Sequence, residues 1–143
     1  GVKVIDVASA LPQITDRITI DGTTQPGYAG APLIEINGTF TGSNGLVITA
    51  GGSVVKGLAI GNFSSGRALW FRDCDNNVIQ GNYIGVDATG TATRRNSQGI
   101  LLSNSSNNLI GGATATARRC GRPAGLVDGP CPPRSRECSR RLQ

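Results

Sequence analysis

The chain has 143 residues with 21 Gly and only three Phe, two Tyr and one Trp, so large side chains cannot fill a wide core. Its net charge of +5 arises after residue 112, because 1–112 hold seven basic and seven acidic residues, whereas 113–143 hold seven Arg and two acids. No run of 18 apolar residues exists, so no transmembrane helix is expected. The opening GVKVIDVASA has neither an initiator Met nor a leader pattern, and we expect a fragment or a processed product.

Short apolar runs rich in β-branched residues follow one another through residues 1–112. Each spans about four to six residues and ends in Gly, Asn, Asp or Ser, which is typical of strands and turns. Apolar residues do not recur at helical spacing over a helical length. The pattern predicts an all-β fold from these runs, in chain order: RITIDG, PLIEING, GLVITAGG, VVKGLAIGN, ALWFRD, NVIQGNYIG, GILLSN and NNLIGG.

The strands belong to an internal repeat. Leu69-Trp70-Phe71 recurs 31 residues later as Ile100-Leu101-Leu102, and a third copy at 45–62 precedes them by 23 or 24 residues. Leucine-rich repeats need a Leu frame that is absent here, and a propeller blade needs roughly forty residues. A parallel β-helix takes about this length per coil. We therefore predict a solenoid of about four to five coils over 1–112.

Stacked coils place equivalent residues about 4.8 Å apart, which predicts interior columns of apolar side chains and ladders of polar ones. The Asn pairs share the 31-residue offset, and their amides could hydrogen-bond from coil to coil, so we interpret them as structural rungs. The predicted rungs are Asn76, Asn77, Asn107 and Asn108. The predicted columns are Leu46, Leu69, Ile100; Ile48, Phe71, Leu102; and Val55, Ile79, Ile110.

Four segments together resemble a known family: LPQITDRITIDGTTQPGYAGAPLIEING, GGSVVKGLAIGNF, NNVIQGNYIGVDATGTA and SNNLIGG. They are similar to right-handed parallel β-helix repeat proteins of the pectin-lyase-like fold, found in bacterial surface and secreted proteins. The resemblance covers about 11–117. It implies a right-handed coil and an extracellular or cell-surface location.

Strand alternation predicts that one strand presents an aromatic and a basic side chain on its outward face. With Leu69 and Phe71 inside, Trp70 and Arg72 face solvent, where an exposed indole beside Arg suits contact with a polysaccharide or cell-surface glycan. The alternative is that the extra residues at 86–98, predicted to project as a loop, fold over Trp70, or that another part of the protein covers it.

Catalytic and metal chemistry have little support in the sequence. His is absent, which removes the commonest general base. Polygalacturonases of the β-helix fold that this chain resembles carry Asn-x-Asp, Asp-Asp, Gly-His-Gly and Arg-x-Lys motifs on an outer strand face. None of these motifs occurs in this sequence. Asp73 and Asp75 flank Cys74 and offer a weak Ca²⁺ site, yet Ca²⁺ takes six to eight oxygens and Asp is common at corners. We expect no cofactor, no catalytic residue, and in Cys74 a half-exposed, unreactive thiol.

Residues 113–143 lose the repeat and are rich in Arg, Cys and Pro. Three interpretations remain open: sequence derived from a frameshift, a disordered tail, or a basic arm for nucleic acid, the last being the least favoured. A stack that ends near residue 112 would expose strand edges, which predicts edge-to-edge self-association.

The sequence therefore favours a non-catalytic β-helix segment of a larger secreted or surface protein, serving as a rigid scaffold for adhesion or polysaccharide contact. The alternative is a fragment of a polysaccharide lyase or hydrolase whose catalytic coils lie elsewhere. Clustered outward acidic and basic residues on adjacent coils would favour the second hypothesis.

Overall fold

A computed structural model describes residues 1–111, so the predicted tail at 113–143 lies outside the described residues. Within that range the regular structure is almost entirely β, with one turn of 3₁₀ helix at Gly22–Thr24 and no α-helix. The strands are β1 (Lys3–Asp6), β2 (Thr19–Asp21), β3 (Ile34–Asn37), β4 (Leu46–Ile48), β5 (Val54–Lys56), β6 (Leu58–Gly61), β7 (Arg67–Arg72), β8 (Val78–Gln80), β9 (Tyr83–Ile84), β10 (Gln98–Ser103) and β11 (Leu109–Ile110).

The strands form three sheets in which every pair is parallel. The first sheet has the order β1-β3-β6-β9, the second β10-β7-β4, and the third β11-β8-β5-β2. From β3 onward the chain enters the first, second and third sheets in turn and repeats that cycle. An isolated parallel bridge from Ile14 to Ile48 extends the second sheet beyond β4. This cyclic order is compatible with a β-helix.

The predicted strand register is confirmed. Leu46 pairs with Leu69, which pairs with Ile100, and the two neighbouring columns match in the same way. The column Val55, Ile79 and Ile110 in the third sheet is also correct. Phe71, Leu69 and Ile48 are completely buried, as alternation within a half-buried strand requires. The core is thus a stack of apolar side chains between the three sheets.

The stretch 86–98 was predicted to project as a loop. Its residues 86–97 lie outside the strands, as a loop does, but they fold back onto the first sheet. The segment 86–97 makes an antiparallel bridge between Val86 and Thr93 and returns to the first sheet. There the buried carboxylate of Glu35 accepts a hydrogen bond from the Ala88 backbone N–H (3.2 Å) and from Nε of Arg94 (3.2 Å). A buried carboxylate needs such partners, so Glu35 fixes the segment against the sheet.

Replacing that carboxylate should release the segment. Glu35→Gln removes the charge that pairs with Arg94, so we expect trypsin to cleave after Arg94 or Arg95 about tenfold faster, since proteolysis follows local opening. The measurement is a time course of peptides by mass spectrometry. Cleavage after Arg17, which lies outside the segment, serves as the internal control; an equal acceleration at both places would show global destabilisation instead.

A candidate ligand-binding face around Trp70

The outward face of β7 carries the side chains singled out by the sequence. Trp70 lies between Val47 of β4 and Leu101 of β10, and Arg72 pairs with Ser103. Trp70 and Arg72 are partly exposed, whereas the intervening Phe71 is buried. The predicted orientation of the two residues is therefore correct, but the indole is half-buried rather than fully exposed.

The indole of Trp70 is held by three neighbours. Its Nε1 donates a hydrogen bond to Oγ of Ser103 (3.1 Å). The guanidinium carbons of Arg67 and Arg72 lie over the ring, 4.6 and 5.4 Å from its centroid. Guanidinium groups at these distances are attracted by the ring quadrupole. The ring is thus already packed against two cations.

Arg67 is a member of this face that sequence reasoning missed. Strict alternation from Trp70 assigns position 67 to the interior, yet β7 has a change of phase at its start, where Ala68 and Leu69 are both buried. Nε of Arg67 donates to Oε1 of Gln98 on β10 (2.8 Å), and its backbone N–H donates to Oδ1 of Asn44 (3.1 Å). The available signal was the 31-residue offset, which pairs Arg67 with a polar residue rather than an apolar one.

Asp73 and Asp75 are exposed, and each contacts the following cycle of the chain. Oδ1 of Asp73 accepts a hydrogen bond from the side chain of Asn104 (3.0 Å), and Oδ1 of Asp75 accepts one from the Ser106 backbone N–H (2.6 Å). Asp73 also lies 3.5 Å from Nε of Arg72 as an ion pair without hydrogen-bond geometry. Within residues 1–111, no three His, Cys, Asp or Glu side chains are grouped as metal ligands.

Asn77 and Asn108 stack as predicted for ladder rungs. The side-chain N–H of Asn77 donates to Oδ1 of Asn108 (2.9 Å), and so does the Asn77 backbone N–H (2.9 Å). Oδ1 of Asn77 in turn accepts from the Ser53 backbone N–H of the preceding cycle (2.9 Å). These bonds satisfy buried donors at a corner of the stack.

Asn76 and Asn107 were predicted to be rungs as well, and that prediction is wrong. Both are exposed and adopt positive φ, 60° and 56° respectively. Asn tolerates the left-handed region better than most residues, so these two close the turn through their backbone conformation.

The prediction of a half-exposed Cys74 is also wrong, because this residue is buried. Its thiol donates to the carbonyl of Ile48 (3.3 Å) and lies near the side chain of Asn77 (3.4 Å). It has no disulfide partner among the residues that the structure describes. The thiol therefore belongs to the corner packing rather than to the outward face.

Comparisons with known proteins identify no relative: no protein-family model, curated protein or solved structure matches this chain. Among residues 1–111, no helix has the length and apolar character needed to cross a membrane.

Proposed function

We propose that the chain is a right-handed parallel β-helix segment of a larger secreted or cell-surface protein, and that it serves as a non-catalytic scaffold for adhesion or polysaccharide contact. The observation that carries the proposal is the partly exposed Trp70, held on β7 by Arg67, Arg72 and Ser103. Aromatic and Arg side chains are enriched where proteins contact partners.

The cyclic passage through three parallel sheets supports the scaffold role. Backbone N–H groups at the corners are bound by Asn side chains of the next cycle, as when Leu58 donates to Asn82 (3.0 Å) and Phe63 donates to Asn96 (3.0 Å). Repeats that contact only their neighbours form elongated bodies with continuous side faces. An elongated side face of this kind can contact a long polymer at several points along its length.

Polysaccharide binding is measurable through the single Trp of the chain. We expect the emission of Trp70 to change and saturate when a polysaccharide ligand is titrated, because a ligand on this face alters the solvation of the indole. Gel electrophoresis through polysaccharide should show a matching retardation. Trp70→Phe should abolish the emission signal but retain part of the retardation.

Two results would contradict the proposal. Absence of binding to neutral, carboxylated and sulfated polysaccharides would exclude polysaccharide contact. Release of reducing or unsaturated sugar ends in the presence of Ca²⁺ would exclude a non-catalytic role and favour a lyase or hydrolase.

A further inference from the structure

The Trp70 face offers guanidinium donors rather than an open aromatic ring. Arg67 and Arg72 both lie over the indole, and the indole N–H is already bound by Ser103. A sugar that stacked on a ring face covered by a guanidinium would first have to displace that group. What a ligand meets from outside is therefore positive charge supported by an aromatic ring.

Several of these N–H donors have no partner among residues 1–111. A guanidinium carries five N–H groups, of which Arg67 uses Nε toward Gln98 and one terminal nitrogen toward Asn44 at a long 3.5 Å. Within residues 1–111, Arg72 contacts the indole and forms an ion pair with Asp73 that lacks hydrogen-bond geometry, and its side chain is 38% exposed. The terminal N–H groups of Arg72 are thus the principal donors available to an anion.

The arrangement of the two guanidiniums favours a tetrahedral oxyanion. The two guanidinium carbons lie 4.6 and 5.4 Å from the centroid of the same ring. The distance between these carbons therefore cannot exceed the sum of the two values. A planar carboxylate matches one guanidinium fork with its two oxygens, whereas a sulfate ester has three terminal oxygens and can accept from more than one guanidinium. Sulfate esters are tetrahedral anions that a polysaccharide can carry in series.

We propose that the Arg67–Trp70–Arg72 stack is a binding site for sulfated polysaccharide, in which the two guanidiniums take sulfate groups and the indole holds them in place. This inference rests on the proposed function, since it names the substrate class for the polysaccharide contact. Asp73 is the acidic side chain beside Arg72, and it competes with the incoming sulfate for that guanidinium.

Binding to dextran sulfate tests the proposal against two other polymers, uncharged dextran and a polyuronate. We expect binding to dextran sulfate, much weaker binding to the polyuronate, and none to dextran. Arg67→Gln and Arg72→Gln should each weaken binding to dextran sulfate about tenfold, because a charge-assisted pair is lost. Asp73→Asn should strengthen it about threefold by removing an exposed competing charge.

A matched control is Lys3→Gln, which removes one positive charge from β1 of the first sheet, whereas β7 belongs to the second sheet. Lys3→Gln should leave the affinity for dextran sulfate unchanged at 0.15 M salt. If Lys3→Gln and Arg72→Gln weakened binding equally, the net charge of the protein would explain the effect, and the proposed site would be overturned. Arg67→Lys keeps the charge but loses the fork, so it should bind nearly as weakly as Arg67→Gln. Both variants lose the Nε hydrogen bond to Gln98, so their unfolding midpoints should be similar.

The failures can be told apart. Binding to dextran or the polyuronate that exceeds binding to dextran sulfate would overturn the sulfate site and leave the proposed polysaccharide contact standing. Absence of binding to all three polymers would overturn both.

Discussion

Gly45→Ala is expected to lower the free energy of unfolding by about 3 kcal/mol or more, because there is no space for a methyl group at this corner. A Cβ on Gly45 would lie 2.3 Å from the carbonyl oxygen of Ala68, in the next cycle of the chain. The oxygen belongs to the backbone and the position of the Cβ is fixed by the backbone of residue 45, so neither atom can move aside without separating β4 from β7. The effect should appear as a lower midpoint in urea denaturation followed by circular dichroism.

Gly42→Ala is the matched control for that experiment. Gly42 lies three residues earlier, and a Cβ added there meets no atom within 4 Å, although its φ of 59° is unfavourable for Ala. Its cost should be limited to local backbone strain of about 1 kcal/mol. If Gly42→Ala destabilised the protein as much as Gly45→Ala, close stacking of the cycles would not be the reason.

The stacking itself could be predicted from the sequence because strand register depends on periodic burial. A shift of one residue would turn Leu69 and Phe71 outward, so the apolar pattern leaves one register for β7 against its neighbours. The 31-residue offset fixed the pairing of β7 with β10 in the same way. Fold class, strand order within a sheet and the interior columns all follow from this periodicity.

The corners were less predictable, since the same residue type performs different tasks at adjacent positions. Asn77 faces inward and binds its neighbours, whereas Asn76 supplies a positive φ at the turn. Repetition of the Asn pair indicated a shared role but did not distinguish side-chain bonding from backbone conformation. That distinction depends on φ at each residue, which the repeat period does not encode.

The sequence predicted only part of the candidate face, because strand alternation identifies some of its residues and not others. Trp70 and Arg72 follow strand alternation, but Arg67 lies where the alternation changes phase, and the segment 86–97 packs on Glu35 in another sheet. Contacts between residues far apart in sequence, such as Glu35 and Arg94, leave no periodic signal. The long flexible side chain of Arg67 also reaches beyond the position that its Cα would suggest.

Asn77→Ala should lower the free energy of unfolding by about 3 kcal/mol, because it leaves buried polar groups without partners. Asn77 is completely buried, and its loss deprives the Ser53 N–H and the Cys74 carbonyl of hydrogen bonds of 2.9 and 3.1 Å. Asn76→Gly, one residue earlier, should cost almost nothing, since Gly accepts the same positive φ. Urea denaturation of the two variants measures the difference, and equal losses would show that the corner depends on turn conformation rather than on the ladder.

Asn77→Asp separates the donor and acceptor roles of the same side chain. An ionised carboxylate still accepts from Ser53 but cannot donate to the Cys74 carbonyl or to Oδ1 of Asn108, and burial penalises its charge. Burial should raise the pKa of this Asp above its unfolded value, so the variant binds a proton on folding and its deficit relative to wild type should shrink as the pH falls. Unfolding free energies of both proteins at pH 4.5 and pH 7.5 test this expectation. A deficit independent of pH would mean that the pKa of this Asp is the same in the folded and unfolded states, and that burial at this corner does not penalise its charge.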